Sequence, residues 1–155
     1  MIAMADDLVE ILSLAKEIAK RYRALTGRPL GITGEIGEYE AVRLLGLKPA
    51  VVREAGFDAT RLQDGRHERL QIKTRCLLPG CKPGQRIGRI ELLKPWDFVL
   101  LVLLNEDFEA TSIYEADRTA VEGALMKPGS KARNERGALG VSKFRAIGQK
   151  IWPLA

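Results

Sequence analysis

Apolar positions recur through the first part of the chain at steps of three and four residues. Leu8, Ile11, Leu12, Ala15, Ile18, Ala19 and Tyr22 keep that rhythm, which predicts an amphipathic helix from about Asp6 to Leu25. Thr26-Gly27-Arg28-Pro29 ends it, with Gly27 suited to the C-cap and Pro29 just beyond. A second helix is expected from Thr33, a good N-cap, to Leu45, with Gly46 as its stop. A short strand is expected near Ala50–Arg53. Two further runs, Gly56–Leu62 and His67–Thr74, then flank Asp64-Gly65, a strong signal for a two-residue hairpin turn.

The segment from Cys76 to Gly88 reads as a loop, punctuated by Pro79, Gly80, Pro83, Gly84 and Gly88. Trp96–Leu104 reads as a buried strand, Asn105-Glu106-Asp107 as a turn and Phe108–Tyr114 as the returning strand. Asp117 is placed to cap a short helix through Met126, and Ser142–Ile147 is expected to form a last one. This order predicts an α/β (α+β) fold, a sheet with helices packed on it, and not an alternating Rossmann pattern. The 155 residues fit one domain, divided into an N-terminal helix at 6–26, a core at 33–104 and a C-terminal segment at 127–155.

The hairpin carries a geometric consequence. With Asp64 and Gly65 as its loop, partners across the strands have numbers that sum to 129, which sets Asp58 opposite Gln71 and Gly56 opposite Lys73. Lys73 lies two positions beyond Gln71 and shares its face. An acid, an amide and a lysine are thereby expected on one open patch, provided no bulge turns half of it over. In the second helix Glu38 shares a side with Ala41, Val42 and Leu45, the residues expected to pack on the sheet. A carboxylate there calls for a metal or a lysine as partner. Glu35 is the competing acid, a little further round.

Composition narrows the classes. Apolar residues make up 46%, enough for a core, which excludes global disorder. The longest strongly apolar run, Phe98–Leu104, is far short of the roughly 20 residues of a membrane span. Asp6, Asp7 and Glu10 break any secretory apolar core, so a soluble cytoplasmic domain with no membrane partner is expected. Cys76 and Cys81 read as reduced thiols, and with His67 they give three ligands where structural zinc wants four. The net charge of +5 is unevenly spread: from Lys127 onward seven basic residues face Glu135 alone, a local +6, leaving −1 elsewhere. Such a concentration favours a polyanion, most often nucleic acid, over a merely solvated tail. Arg133, Arg136, Ser142, Lys143 and Arg145 in that segment, with Arg75, Arg86 and Arg89 beside the loop, are the candidate phosphate contacts. A small-molecule enzyme finds no phosphate loop, nucleophile elbow or dinucleotide fingerprint to support it.

Glu38 in a helix, Gly56-Phe57-Asp58, then Gln71-Ile72-Lys73 resembles the PD-(D/E)XK nuclease superfamily, whose pattern is a helix acid, an Asp on the second core strand and (E/Q)-x-K on the third. The helix Gly37–Gly46 is similar to that of the Holliday-junction-resolvase-like and type IV restriction branches. The resemblance covers about Thr33–Leu104. It implies a restriction-endonuclease-like central mixed sheet flanked by helices, and Mg²⁺ (or Mn²⁺) held by Glu38, Asp58, Gln71 and the Ile72 carbonyl. Lys73 would act on the attacking water, in hydrolysis of phosphodiester bonds in DNA. Gln71 stands where most branches carry Glu, which removes one negative charge and weakens metal binding. A plain ion pair of these same side chains, in a non-catalytic nucleic-acid-binding or assembly module, is the alternative; a homodimer is compatible with either.

Overall fold

The computed structural model describes residues 2–27, 30–51, 56–127 and 138–155. The chain divides into two units, residues 1–32 and 33–155. The first is a single helix, α1 (Ile2–Thr26), laced by Glu17 to Lys20 and Arg21 and closed by Gly27, whose positive φ of 71° lets its N–H reach the Arg23 carbonyl at 2.8 Å.

In the second unit the elements are α2 (Ile32–Leu45), β1 (Lys48–Pro49), β2 (Ala59–Gln63), β3 (Arg66–Cys76), β4 (Phe98–Leu104), β5 (Ala110–Asp117), α3 (Arg118–Met126), α4 (Val141–Ile147) and β6 (Gln149–Trp152). The strands form one mixed sheet in the order β1-β2-β3-β4-β5-β6, antiparallel throughout except for the β3–β4 pair. The expected α+β architecture is therefore the observed one. None of the helices is long and apolar enough to cross a membrane, among the described residues.

The hairpin has the expected register. Ala59 faces Leu70 and Gln63 faces Arg66, every pair summing to 129. Asp64 at φ 49° and Gly65 at φ 75° both take positive φ, which a turn twisted to match right-handed strands requires. β4 lies inside the sheet between β3 and β5 and is buried on both faces, one against α3 and α4 and the other in the cluster of Ala41 and Leu47, hence its unbroken run of apolar residues. Below the sheet, Leu70, Ile72, Leu100, Val102, Leu104 and Ile113 pack with Ala41 and Leu47. Above it, Val99, Leu101, Leu103 and Ala116 meet Val121 and Leu125 of α3, and Val141 and Phe144 of α4. Asp117 caps α3 by accepting the Ala120 N–H at 2.8 Å.

Parallel β3 and β4 are joined by an irregular crossover, residues 77–97, that is held by borrowed hydrogen bonds. Arg118 lies 4.0 Å over the Trp96 ring and donates to the carbonyls of Leu92, Lys94 and Trp96. Ile87 N–H reaches Leu139 O, and Val141 N–H reaches Gln85 O, so the C-terminal segment clasps the crossover. The start of the parallel pair is clamped by Asp97, whose carboxylate accepts from the Arg69 backbone and guanidinium.

Three expectations need correction. The short strand sits at Lys48–Pro49, ahead of Ala50–Arg53, and residues 52–55 lie outside the described residues. Hairpin pairing ends at Ala59, so Gly56 does not face Lys73. It turns at φ 106° against Lys94 and Pro95, where a Cβ would come within 2.7 Å of either. The edge strand Gln149–Trp152 had no place in the pattern; its Lys150 and Gln149 are exposed and no alternation marks it.

Candidate active site

Beyond the Ala59–Leu70 pair, β2 leaves the sheet while β3 runs on to Cys76, paired only with β4. Among the described residues no strand pairs with the far edge of β3 along Gln71–Cys76, and Asp58 stands at the fork. Its N–H donates to Leu70 O at 2.8 Å, and its carboxylate Oδ2 accepts from Ile72 N–H at 2.7 Å. Asp58 thus spans the position of Gln71, as the register predicts, with its carboxylate at the strand edge. The carbonyl of a strand residue leaves the strand on the same side as its amide, so the Ile72 carbonyl points to this edge too.

Gln71 is only 8% exposed, and its Oε1 has no hydrogen-bond partner among the described residues. Its Nε2 makes a long contact to the Gly56 carbonyl at 3.5 Å. Lys73 pairs with Leu101 and Gln71 with Val99, which places both side chains on the face opposite α2. Half-burial pushes the Lys73 ammonium below its ordinary pKa, against the opposing pull of Asp58, Glu91 and Glu38. Three carboxylates from three different segments therefore act on one lysine.

α2 brings Glu38 to this edge through a glycine. Gly37 lies directly on Thr74, and a Cβ there would come within 1.8 Å of Thr74 Oγ1. A Cβ on Gly34, one turn earlier, would meet nothing within 4 Å among the described residues. The buried stripe of α2 centres on Gly37 and Ala41, so Glu38 occupies its half-buried flank and not its middle. Glu38, and not Glu35, is among the charges felt at Lys73.

Glu91 was not foreseen, because nothing in a Gly/Pro-punctuated loop predicts where its side chains return. Its placement follows from the crossover: Ile90 is buried, the Glu91 carbonyl accepts from Trp96 Nε1 at 2.8 Å, and Gly88 lies against the Lys73 stem. Among the described residues, no three His, Cys, Asp or Glu side chains form a metal-holding group. Any cation here would draw on carboxylates together with the Gln71 amide oxygen and a backbone carbonyl. Both cysteines are free thiols.

The basic candidates fall into separate places. Arg75 continues the Gln71–Lys73 face and has a buried Nε without a partner. Arg86 bridges to Gly140 through its backbone and to the Ala138 carbonyl through its guanidinium at 3.0 Å, so it holds the fold as well as offering charge. Arg89 is exposed. On α4, Ser142 and Arg145 are exposed and Lys143 half-buried, with Arg145 5.2 Å above the Tyr114 ring. Tyr114 faces Leu101, which faces Lys73, so the three lie in one row across the sheet, about 10 Å from end to end at the usual strand spacing. Arg133 and Arg136 lie outside the described residues. Compared with known proteins, the chain matches no family model and no curated protein.

Proposed function

We propose that this chain is a Mg²⁺- (or Mn²⁺-) dependent nuclease-like protein that hydrolyses phosphodiester bonds in nucleic acid, DNA in the first instance, in the cytoplasm. The observation that carries the reading is where polar satisfaction fails. Among the described residues, the buried side-chain N and O atoms without a hydrogen-bond partner are Gln71 Oε1, Thr74 Oγ1 and Arg75 Nε, all on the strand of Lys73; Gln71 and Arg75 share its face, while Thr74 lies under Gly37 on the other. A buried carbonyl oxygen left unpaired costs about 1–3 kcal/mol. A hard cation or its water is the kind of partner that relieves it, so the donor set fits such an ion.

Asp58, Glu38, Gln71 Oε1 and the Ile72 carbonyl would hold the metal. When bound, it supplies Lewis-acid polarisation of a phosphoryl oxygen and a lowered pKa for an attacking water. The chain's own groups do the rest. The Ile72 amide fixes Asp58 in place through Oδ2, so the carboxylate does not have to be ordered at the moment of reaction. Lys73 holds its cation beside the acids, where it orients water and offsets charge developing on phosphate. Arg145, in line with Lys73 across the sheet, and Lys143 and Ser142 beside it suit the flanking phosphates.

A second reading has one observation in its favour: Gln71 is neutral and no three-acid cluster exists among the described residues, which suits a binding module without cleavage. A nicking assay on supercoiled and branched DNA with Mg²⁺ and Mn²⁺, with a chelator control, separates them. Metal-dependent nicking supports the first reading. DNA binding without cleavage of any substrate transfers the site to the second.

A further inference from the structure

α1 carries a seam that its own sequence repeats. Ile11, Ala15, Ile18, Tyr22 and Leu25 are spaced four, three, four and three residues apart, the heptad rhythm of paired helices, and Leu8 extends it by one step. Ile11, Ile18 and Leu25 are 61%, 56% and 87% exposed. A lone helix of this length is marginal in water unless an apolar stripe is packed.

Its charges are segregated along the axis. Residues 2–14 carry Asp6, Asp7 and Glu10 and no base, whereas residues 15–26 carry Lys16, Lys20, Arg21 and Arg23 against Glu17. The helix dipole does not account for this, since its influence falls off within the terminal turns. The first turn holds no acid, and the last holds only Arg23.

We infer that α1 pairs with α1 of a second copy of this chain, antiparallel, through the Ile11–Leu25 seam. Antiparallel pairing lays each acidic half beside the other copy's basic half, whereas a parallel pair would stack like on like. In the centred register Ala15 falls opposite Ile18, a small side chain against a large one, and Ile11 falls opposite Tyr22. The inference stands apart from the nuclease reading and does not depend on it.

The test is sedimentation velocity with light scattering on the full chain, from about 5 to about 200 µM, a range in which a weak homodimer declares itself by concentration. The expected mass is twice 17.2 kDa at the upper end. Ile11→Lys with Ile18→Lys should return the monomer mass while the thermal transition of the sheet unit is retained; Leu25→Lys alone should weaken pairing, as a second probe of the seam. Raising salt should weaken the wild-type dimer severalfold, because opposite charges face each other. A monomer at every concentration, a dimer indifferent to both seam variants, or a dimer that tightens with salt as a parallel pair would, each overturns the inference.

Discussion

The two halves of β3 obey opposite rules. Along Glu68–Leu70, polar groups have partners: Arg61 spans the face between Glu68 and Glu115 with its cation 4.9 Å above the Phe98 ring, and Arg69 is clasped by Asp97. Along Gln71–Arg75, three buried side-chain polar atoms have none among the described residues. The strand changes character where its pairing passes from β2 to β4, at Leu70. Where β2 pairs with the strand, charged side chains are fixed by countercharges, whereas beyond it buried side-chain polar atoms lack partners among the described residues. The first half holds the sheet; the second is the proposed site.

That contrast can be broken most directly by removing one charge from each half. Asp58→Ala and Lys73→Ala should each lower metal-dependent nicking by about 10²–10³-fold or more, the scale for losing one electrostatic contributor. Affinity for DNA and the thermal transition should remain near wild type, with Glu38→Ala in the same class and Glu35→Ala milder. If Asp58→Ala nicks as well as wild type, the activity belongs elsewhere. Arg61→Ala should do the reverse, leaving two half-buried carboxylates without their cation. A loss of about 2 kcal/mol in denaturant unfolding is expected, with specific activity of the folded fraction unchanged. An equal loss of activity would mean the halves are not separate.

Gln71→Glu sharpens the comparison from the other side. Without metal it buries a carboxylate beside Asp58 and should lower the melting temperature by a few degrees. Mg²⁺ should restore it and bind more tightly by calorimetry than to wild type, with nicking retained or raised. No recovery on adding Mg²⁺ would count against a cation at Gln71. On the nucleic-acid side, neutralising Lys143 and Arg145 together should flatten the slope of log affinity against log salt by up to about 2. An unchanged slope would place the binding surface away from α4.

The smallest effect concerns acid. Arg69 holds the Asp97 carboxyl below its usual value of 3.8, chiefly by hydrogen bonding and against the opposing effect of burial. The clamp therefore contributes stability above that pH and loses it as pH falls below 3.8. Asp97→Asn should make stability fall less steeply with acid in that window, as followed by circular dichroism. An identical acid profile would show that Arg69 does not hold this proton off.

What the chain determined by itself is local. Asp64-Gly65 sets the hairpin register because both residues accept the positive φ values of this two-residue turn, and that register in turn brings Asp58, Gln71 and Ile72 together. Asp117 and Gly27 end their helices through contacts three or four residues away. Where β2 leaves β3 is decided elsewhere: Gly56 is drawn to Lys94 and Pro95, nearly forty residues along the chain. Glu91 reaches Lys73 only because Trp96, Ile90 and Arg118 fold the crossover back across the sheet. β6 finds its place only because β5 offers an unpaired edge. Turns and caps are closed by neighbours whose spacing the sequence fixes in advance. An open strand edge is made by what is absent from it, and only the packing of distant segments decides that.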